Sequence, residues 1–156
     1  MDPRVDPRVI RLKTPDECAA FIVNARARGH EDLAKEARRR AVALRTDAYG
    51  PKSDLERRCV EAIYAYEEAL SARAGRRVSA TKTWQDLRKL GPVSAIDRAV
   101  SREDDDQLHA LLVELGLESF AFEALVLEHP QEFSFQAVER SRARVTRRQQ
   151  QHQAQA

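Results

Sequence analysis

"TPDECAAFIVNARARGHEDLAKEARRRAVALRTDAYG" occupies residues 14–50, and its spacing decides the fold class. Thr14 precedes Pro15, and Glu17 follows three residues after the threonine. This is a capping box: the hydroxyl accepts from an early helical N–H, and proline stands where no N–H is required. A helix is predicted to begin at Pro15. Cys18, Phe21, Ile22 and Ala25 recur at helical spacing, and Gly29 ends the run. Leu33, Ala37, Ala41, Leu44 and Ala48 then mark one face of a second helix. So short a connection makes the two an antiparallel hairpin.

The same grammar continues to the C-terminus. Ser53, with Glu56 three residues on, caps a helix carried by Leu55, Cys59, Ile63, Tyr66 and Leu70 to about Ala74. Its other face, with Glu61, Glu67 and Glu68, reads as acidic and solvated. Gly91-Pro92 divides two short helices at 80–90 and 92–101, and another covers 104–115. "LGLESFAFEALVLEHP" at 115–130 is the most apolar segment, so Phe120, Phe122, Leu125 and Leu127 belong to the core. Ser134 caps a last helix.

The predicted fold is therefore all-α, a compact bundle of seven or eight helices. An N-terminal hairpin leads into a helix-turn-helix-like pair and then the C-terminal helices. Residues 1–13, with the prolines of "DPRVDPRV", read as an extended arm, 14–145 as a single helical domain, and 146–156 as a disordered polar tail. The hairpin resembles one unit of the tetratricopeptide type in shape and small-residue packing. No second copy follows at a period of about 34 residues, so a repeat protein is not expected.

Length and composition agree with one domain. The chain has 156 residues, of which 33% are charged and 6% aromatic, which suits a Leu/Ala-packed helical core. Arginine outnumbers lysine 22 to 5. The planar guanidinium fork suits phosphate, although 24 alanines point to GC-rich coding as the source of the bias. Cys18 and Cys59 lie in apolar helical patterns and read as small buried hydrophobes of a reducing compartment. No apolar run is long enough for a membrane span or a signal peptide. The expected location is a bacterial cytoplasm.

The near-neutral total of +2 conceals strong segregation. Residues 71–102 carry a net +6, residues 103–133 a net −9, and residues 134–156 a net +4. "EDDD" at 103–106 lacks the glycine turn of a cation loop and reads as acid at a helix start, so no metal is expected.

The basic block is the candidate site. At 100° per residue, Ala80, Thr83, Trp84, Leu87, Leu90 and Gly91 fall on one side of the helix. Thr81, Lys82, Gln85, Arg88 and Lys89 fall on the other, with Asp86 at the margin. A face of Thr, Gln, Arg and Lys is the repertoire that reaches phosphates and base edges. Arg73, Arg76 and Arg77 lie upstream as backbone clamps, and Ser79, Thr81 and Thr83 stand at the helix start, where a phosphate could sit. Trp84 reads as a core anchor. The expected partner is nucleic acid, most simply duplex DNA, although the spacings of the common bacterial helix-turn-helix do not align around Gly91.

Catalysis finds little support. His30, His109, His129 and His152 have no nucleophile or ligand partner at a characteristic spacing, and no GxSxG, P-loop, CxxC or HExxH occurs. No cofactor is expected. A site assembled from residues distant in sequence is the one enzymatic alternative. The rival of another class is a helical protein–protein interaction module. It would use the 15–49 hairpin and the acidic face at 61–68, or self-associate head to tail through the basic 71–102 and acidic 103–133 surfaces.

Overall fold

The computed structural model describes residues 5–102 and 104–155. Among them are nine α-helices and no strand: α1 (Pro7–Ile10), α2 (Pro15–Ala27), α3 (Glu31–Tyr49), α4 (Asp54–Ala74), α5 (Thr81–Leu90), α6 (Pro92–Arg102), α7 (Asp106–Leu115), α8 (Phe122–Glu128) and α9 (Phe135–Gln155). Single 3-10 turns at Glu118–Phe120 and Pro130–Glu132 flank α8. The protein is an all-α bundle, as the periodicity predicts.

The helix starts follow from their caps. Thr14 Oγ1 accepts from Glu17 N at 3.1 Å, Ser53 Oγ from Glu56 N at 3.0 Å, and Ser134 Oγ from Ala137 N at 3.0 Å. Each satisfies one of the amides that a helix N-terminus leaves open. Buried Ala34, Ala37 and Ala41 give α3 a small-residue face, which lets α2 pack closely as the other arm of the hairpin.

Helix α4 is the spine. Cys59, Val60, Ala62 and Ile63 join a core with Leu87 of α5, Ile96 and Val100 of α6, Leu125 and Val126 of α8, and Val138 of α9. Further along α4, Ala65 and Ala69 join a second core with Val42, Leu108, Leu112, Leu115 and Leu117. The apolar 115–130 segment is central: Leu117 and Leu125 are fully buried, and Phe122 is nearly so. Phe120 and Leu127 are partly buried at the edges.

Both terminal segments depart from expectation within the described residues; residues 1–4 of the expected arm and residue 156 of the expected tail lie outside them. Residues 7–10 form a turn of helix rather than continuing an extended arm. Proline is tolerated there because Pro7 takes the first helical position, and Asp6 caps the turn by accepting from Arg8 N at 2.8 Å. Val9 is buried, and Arg40 of α3 donates to the carbonyls of Ile10 and Leu12, so α3 holds this segment in place. At the other end α9 runs through the polar tail to Gln155. Glutamine and alanine are good helix formers, and no Gly or Pro interrupts them.

The segregated charges fold onto one another. Arg147 of α9 bonds Asp104 at 2.8 Å and Asp106 at 2.7 Å, while Arg148 bonds Asp106 at 3.0 Å and Glu123 at 3.1 Å. Arg73 takes Asp105, whose other oxygen caps α7 through Leu108 N at 3.1 Å. Glu103 lies outside the described residues. Asp104, Asp105, Asp106 and Glu123 of the acidic block are thus paired within the chain.

These pairings set an acid limit on stability. Hydrogen bonds from Arg147 hold the Asp104 and Asp106 carboxyls below the usual aspartate range. The Leu108 amide and then Arg73 do the same for Asp105. Burial, then the Arg148 charge, lowers the His109 imidazole. A depressed folded pKa means that the unfolded chain binds more protons, so each group contributes fully above its ordinary pKa and loses that contribution as pH falls. Chemical denaturation should therefore report a first loss below the usual histidine range and a steeper one below the usual aspartate range. A flat profile from neutrality to pH 3 would contradict it.

Candidate nucleic-acid interface

The basic block begins on a tethered segment. After α4 ends at Gly75, Ser71 Oγ accepts from Val78 N at 2.9 Å and donates to Val78 O at 3.3 Å. Glu67 Oε2 then accepts from Ser79 Oγ at 3.0 Å, Ala80 N at 2.8 Å and Trp84 Nε1 at 2.7 Å. Glu67 is 5% exposed, so the solvated acidic face expected at 61–68 is corrected: one of its carboxylates is the buried anchor of α5. A carboxylate on α4 beside the α5 N-terminus supplies the negative charge that end of a helix prefers. A phosphate is not needed there, and Glu67 opposes one.

Helices α5 and α6 meet through one residue. Gly91 has φ 92° and ψ 167°, a conformation essentially restricted to glycine, and its N–H closes α5 on Leu87 O. A helix-turn-helix uses a turn of about three or four residues. The pair is adjacent, but its joint is tighter than that motif.

The eight candidate residues, Arg73, Arg76, Arg77, Thr81, Lys82, Gln85, Arg88 and Lys89, are all exposed, and the fold divides them by partner. Arg73 is engaged with Asp105, and Arg77 with Glu68 at 2.9 Å. Lys82 meets Asp86 at 3.1 Å. Arg76, Arg88 and Lys89 have no ion-pair partner among the described residues. Of the hydroxyls at the helix start, Ser79 donates to Glu67 and Thr83 is buried, leaving Thr81 open. Trp84 is half-buried, with its ring on the core side and its N–H on Glu67.

Sequence reasoning missed the organiser of this surface. Asp86 is 2% exposed and gathers three cations: Lys82, Arg102 at 3.0 Å and Arg98 at 3.4 Å. Burial alone would raise its carboxyl, but the hydrogen bonds from Lys82 and Arg102 and the charge of Arg98 outweigh it and hold the group below the usual range. The i,i+4 spacing of Lys82 and Asp86 was legible in the sequence. The inward turn of Asp86, and the arrival of Arg98 and Arg102 from α6, were not. One carboxylate against three cations leaves a net positive cluster, with each cation held in a defined place.

Both cysteines are buried and free, and burial pushes the Cys59 thiol up to about 12, away from a nucleophilic thiolate. Among the described residues, no group of three or more His, Cys, Asp or Glu is placed to hold a metal ion. Nor is any described helix long and apolar enough to cross a membrane. No family model matches the chain, and neither a curated protein nor a solved structure matches it.

Proposed function

We propose that the protein binds nucleic acid through the outward face of α5 together with the cations of α6. The observation that carries this reading is the Asp86 cluster beside the open face of α5. Lys82, Arg98 and Arg102 converge on one buried carboxylate, with Gln85 and Lys89 on the adjoining exposed stripe of α5 and Arg88 beyond them. Elsewhere in the bundle, arginines of α9 pair with Asp104 and Asp106. On α5 and α6 five cations, Lys82, Arg88, Lys89, Arg98 and Arg102, stand against two acids, Asp86 and Asp97.

Cations restrained by a shared carboxylate lose less side-chain freedom when they meet phosphate. The arginines of α6 add the planar fork that suits phosphate oxygens. Arg73 and Arg77 serve the reading less well, because each has a carboxylate of its own, whereas three cations share Asp86 and leave a net positive charge. The interaction-module alternative loses its acidic groove for a related reason: Glu67 is buried and Glu68 is paired with Arg77. Head-to-tail association loses Asp104, Asp106 and Glu123 to α9.

The test is a titration with duplex DNA, single-stranded DNA and RNA at two salt concentrations. On duplex DNA the log affinity should fall with log salt at a slope of about −0.9 per phosphate contact. Lys89→Ala should weaken binding to all sequences and flatten that slope by roughly one unit, with stability unchanged. A slope indistinguishable from zero, or no affinity for any of the three, would reject the reading.

A further inference from the structure

Beside the basic face lies a pocket of about 420 Å3, lined by Tyr49, Tyr64, Glu67, Ser79, Thr81, Trp84 and Arg88. We propose that it takes one unpaired base of a nucleic-acid strand, making the preferred partner single-stranded rather than the duplex expected from sequence. This inference rests on the proposed function and adds the form of the nucleic acid.

Helix geometry fixes where the pocket stands. Thr81, Trp84 and Arg88 are spaced by three and four residues, so they form one stripe of α5. Lys82, Gln85 and Lys89 lie on the next stripe round, and Asp86 lies beyond them toward α6. A strand crossing α5 would meet α6 cations, then α5 cations, then the pocket. Arg88 stands at the boundary, lining the pocket and bordering the open face.

The chemistry of the lining selects a base. Trp84 packs against Tyr64 with ring centroids 4.9 Å apart and against Tyr49 at 5.9 Å, and Tyr49 is 39% exposed. The three rings line the pocket together, with Tyr49 the exposed member. Stacking on such rings tolerates any base, because every base has a π face. Glu67 Oε2 is occupied by three donors, whereas Oε1 has only Arg77 at 3.9 Å among the described residues. It can accept from an amino or imino N–H on a base edge. Thr81 adds a hydroxyl, and Arg88 meets the phosphate attached to the base. Paired bases in a duplex have both faces stacked and those edges engaged, so only an unpaired base fits.

Aromatic rings around a carboxylate could also suit an organic ammonium ion. Two features argue against it. Arg88 at the rim and Arg77 facing Glu67 repel a cation, and rings packed on one another do not surround one.

Trp84 is the only tryptophan, so its fluorescence reports on the pocket directly. The experiment titrates the full chain with a mixed-sequence 12-nucleotide DNA strand, its 12-base-pair duplex, and tetramethylammonium chloride at matched ionic strength. The strand should quench Trp84 and bind more tightly than the duplex. Tyr49→Ala should weaken the strand about tenfold and leave the duplex unchanged, while Tyr49→Phe restores the strand. Equal binding of strand and duplex without quenching would overturn the pocket and leave the basic-face reading standing. Binding of neither would overturn both. Quenching by tetramethylammonium alone would make the site an ammonium cage and overturn the proposal.

Discussion

Leu125→Ala should lower the unfolding free energy by about 2–5 kcal/mol, the cost of a cavity in a core that cannot fully collapse. Leu125 is fully buried on α8, in the cluster that joins α4, α5, α6 and α9. Urea denaturation should show a lower midpoint with an unchanged slope, since the surface exposed on unfolding is the same. A loss below about 0.5 kcal/mol, the range of ordinary surface substitutions, would make α8 peripheral and contradict the architecture.

Arg144→Ala should cost about 1–3 kcal/mol, because the buried Val100 carbonyl loses its donor and Glu123 keeps only Arg148 of its two arginines. Arg144 is 5% exposed on α9, donates to the carbonyl of Val100, and faces Glu123 at 3.4 Å and Asp104 at 3.5 Å. Glu123 is itself 8% exposed. Replacing both with apolar residues of similar size, Arg144→Met with Glu123→Met, should recover the ion-pair share of the loss. Arg148 then retains Asp106 at 3.0 Å. A double variant as unstable as the single would show that the Val100 carbonyl contact, rather than the ion pair, holds α9 in place.

Caps and apolar periodicity carried most of the fold in plain view. Thr14, Ser53 and Ser134 cap the helices they were read to cap, and the 115–130 segment is the buried heart that its composition implies. These signals are local: a hydroxyl reaches an amide two or three residues away, and a stripe repeats every turn. The ends were misjudged where local rules compete. Proline excludes a helix interior but not its first residue, and a polar glutamine tract lacks a core face yet favours helix.

The candidate site was legible only in part. The open face of Thr81, Lys82, Gln85, Arg88 and Lys89 follows from the helical wheel, and all five are exposed. Charge partners in other helices do not follow. Glu67 looks solvated on α4 and proves to be the buried anchor of α5. Asp86 looks marginal and proves to organise cations from two helices. Arg73 looks like a clamp and is held by Asp105, which lies 32 residues away in the chain. Each of these depends on how α4, α5, α6 and α7 pack, and no local pattern encodes it.

The central claim is that the α5 and α6 cations grip nucleic-acid phosphates. Arg88 and Lys89 test it most directly, because neither has an ion-pair partner among the described residues and both are exposed, so reversing them spares the fold. The measurement is the affinity of Arg88→Glu/Lys89→Glu for a single DNA strand and its duplex at low and physiological salt, with the helical circular dichroism spectrum as the control for folding. The account predicts an intact spectrum, weaker binding to every nucleic acid tested, and a salt dependence shallower by roughly two contacts. Unaltered affinity and slope in a folded variant would contradict it.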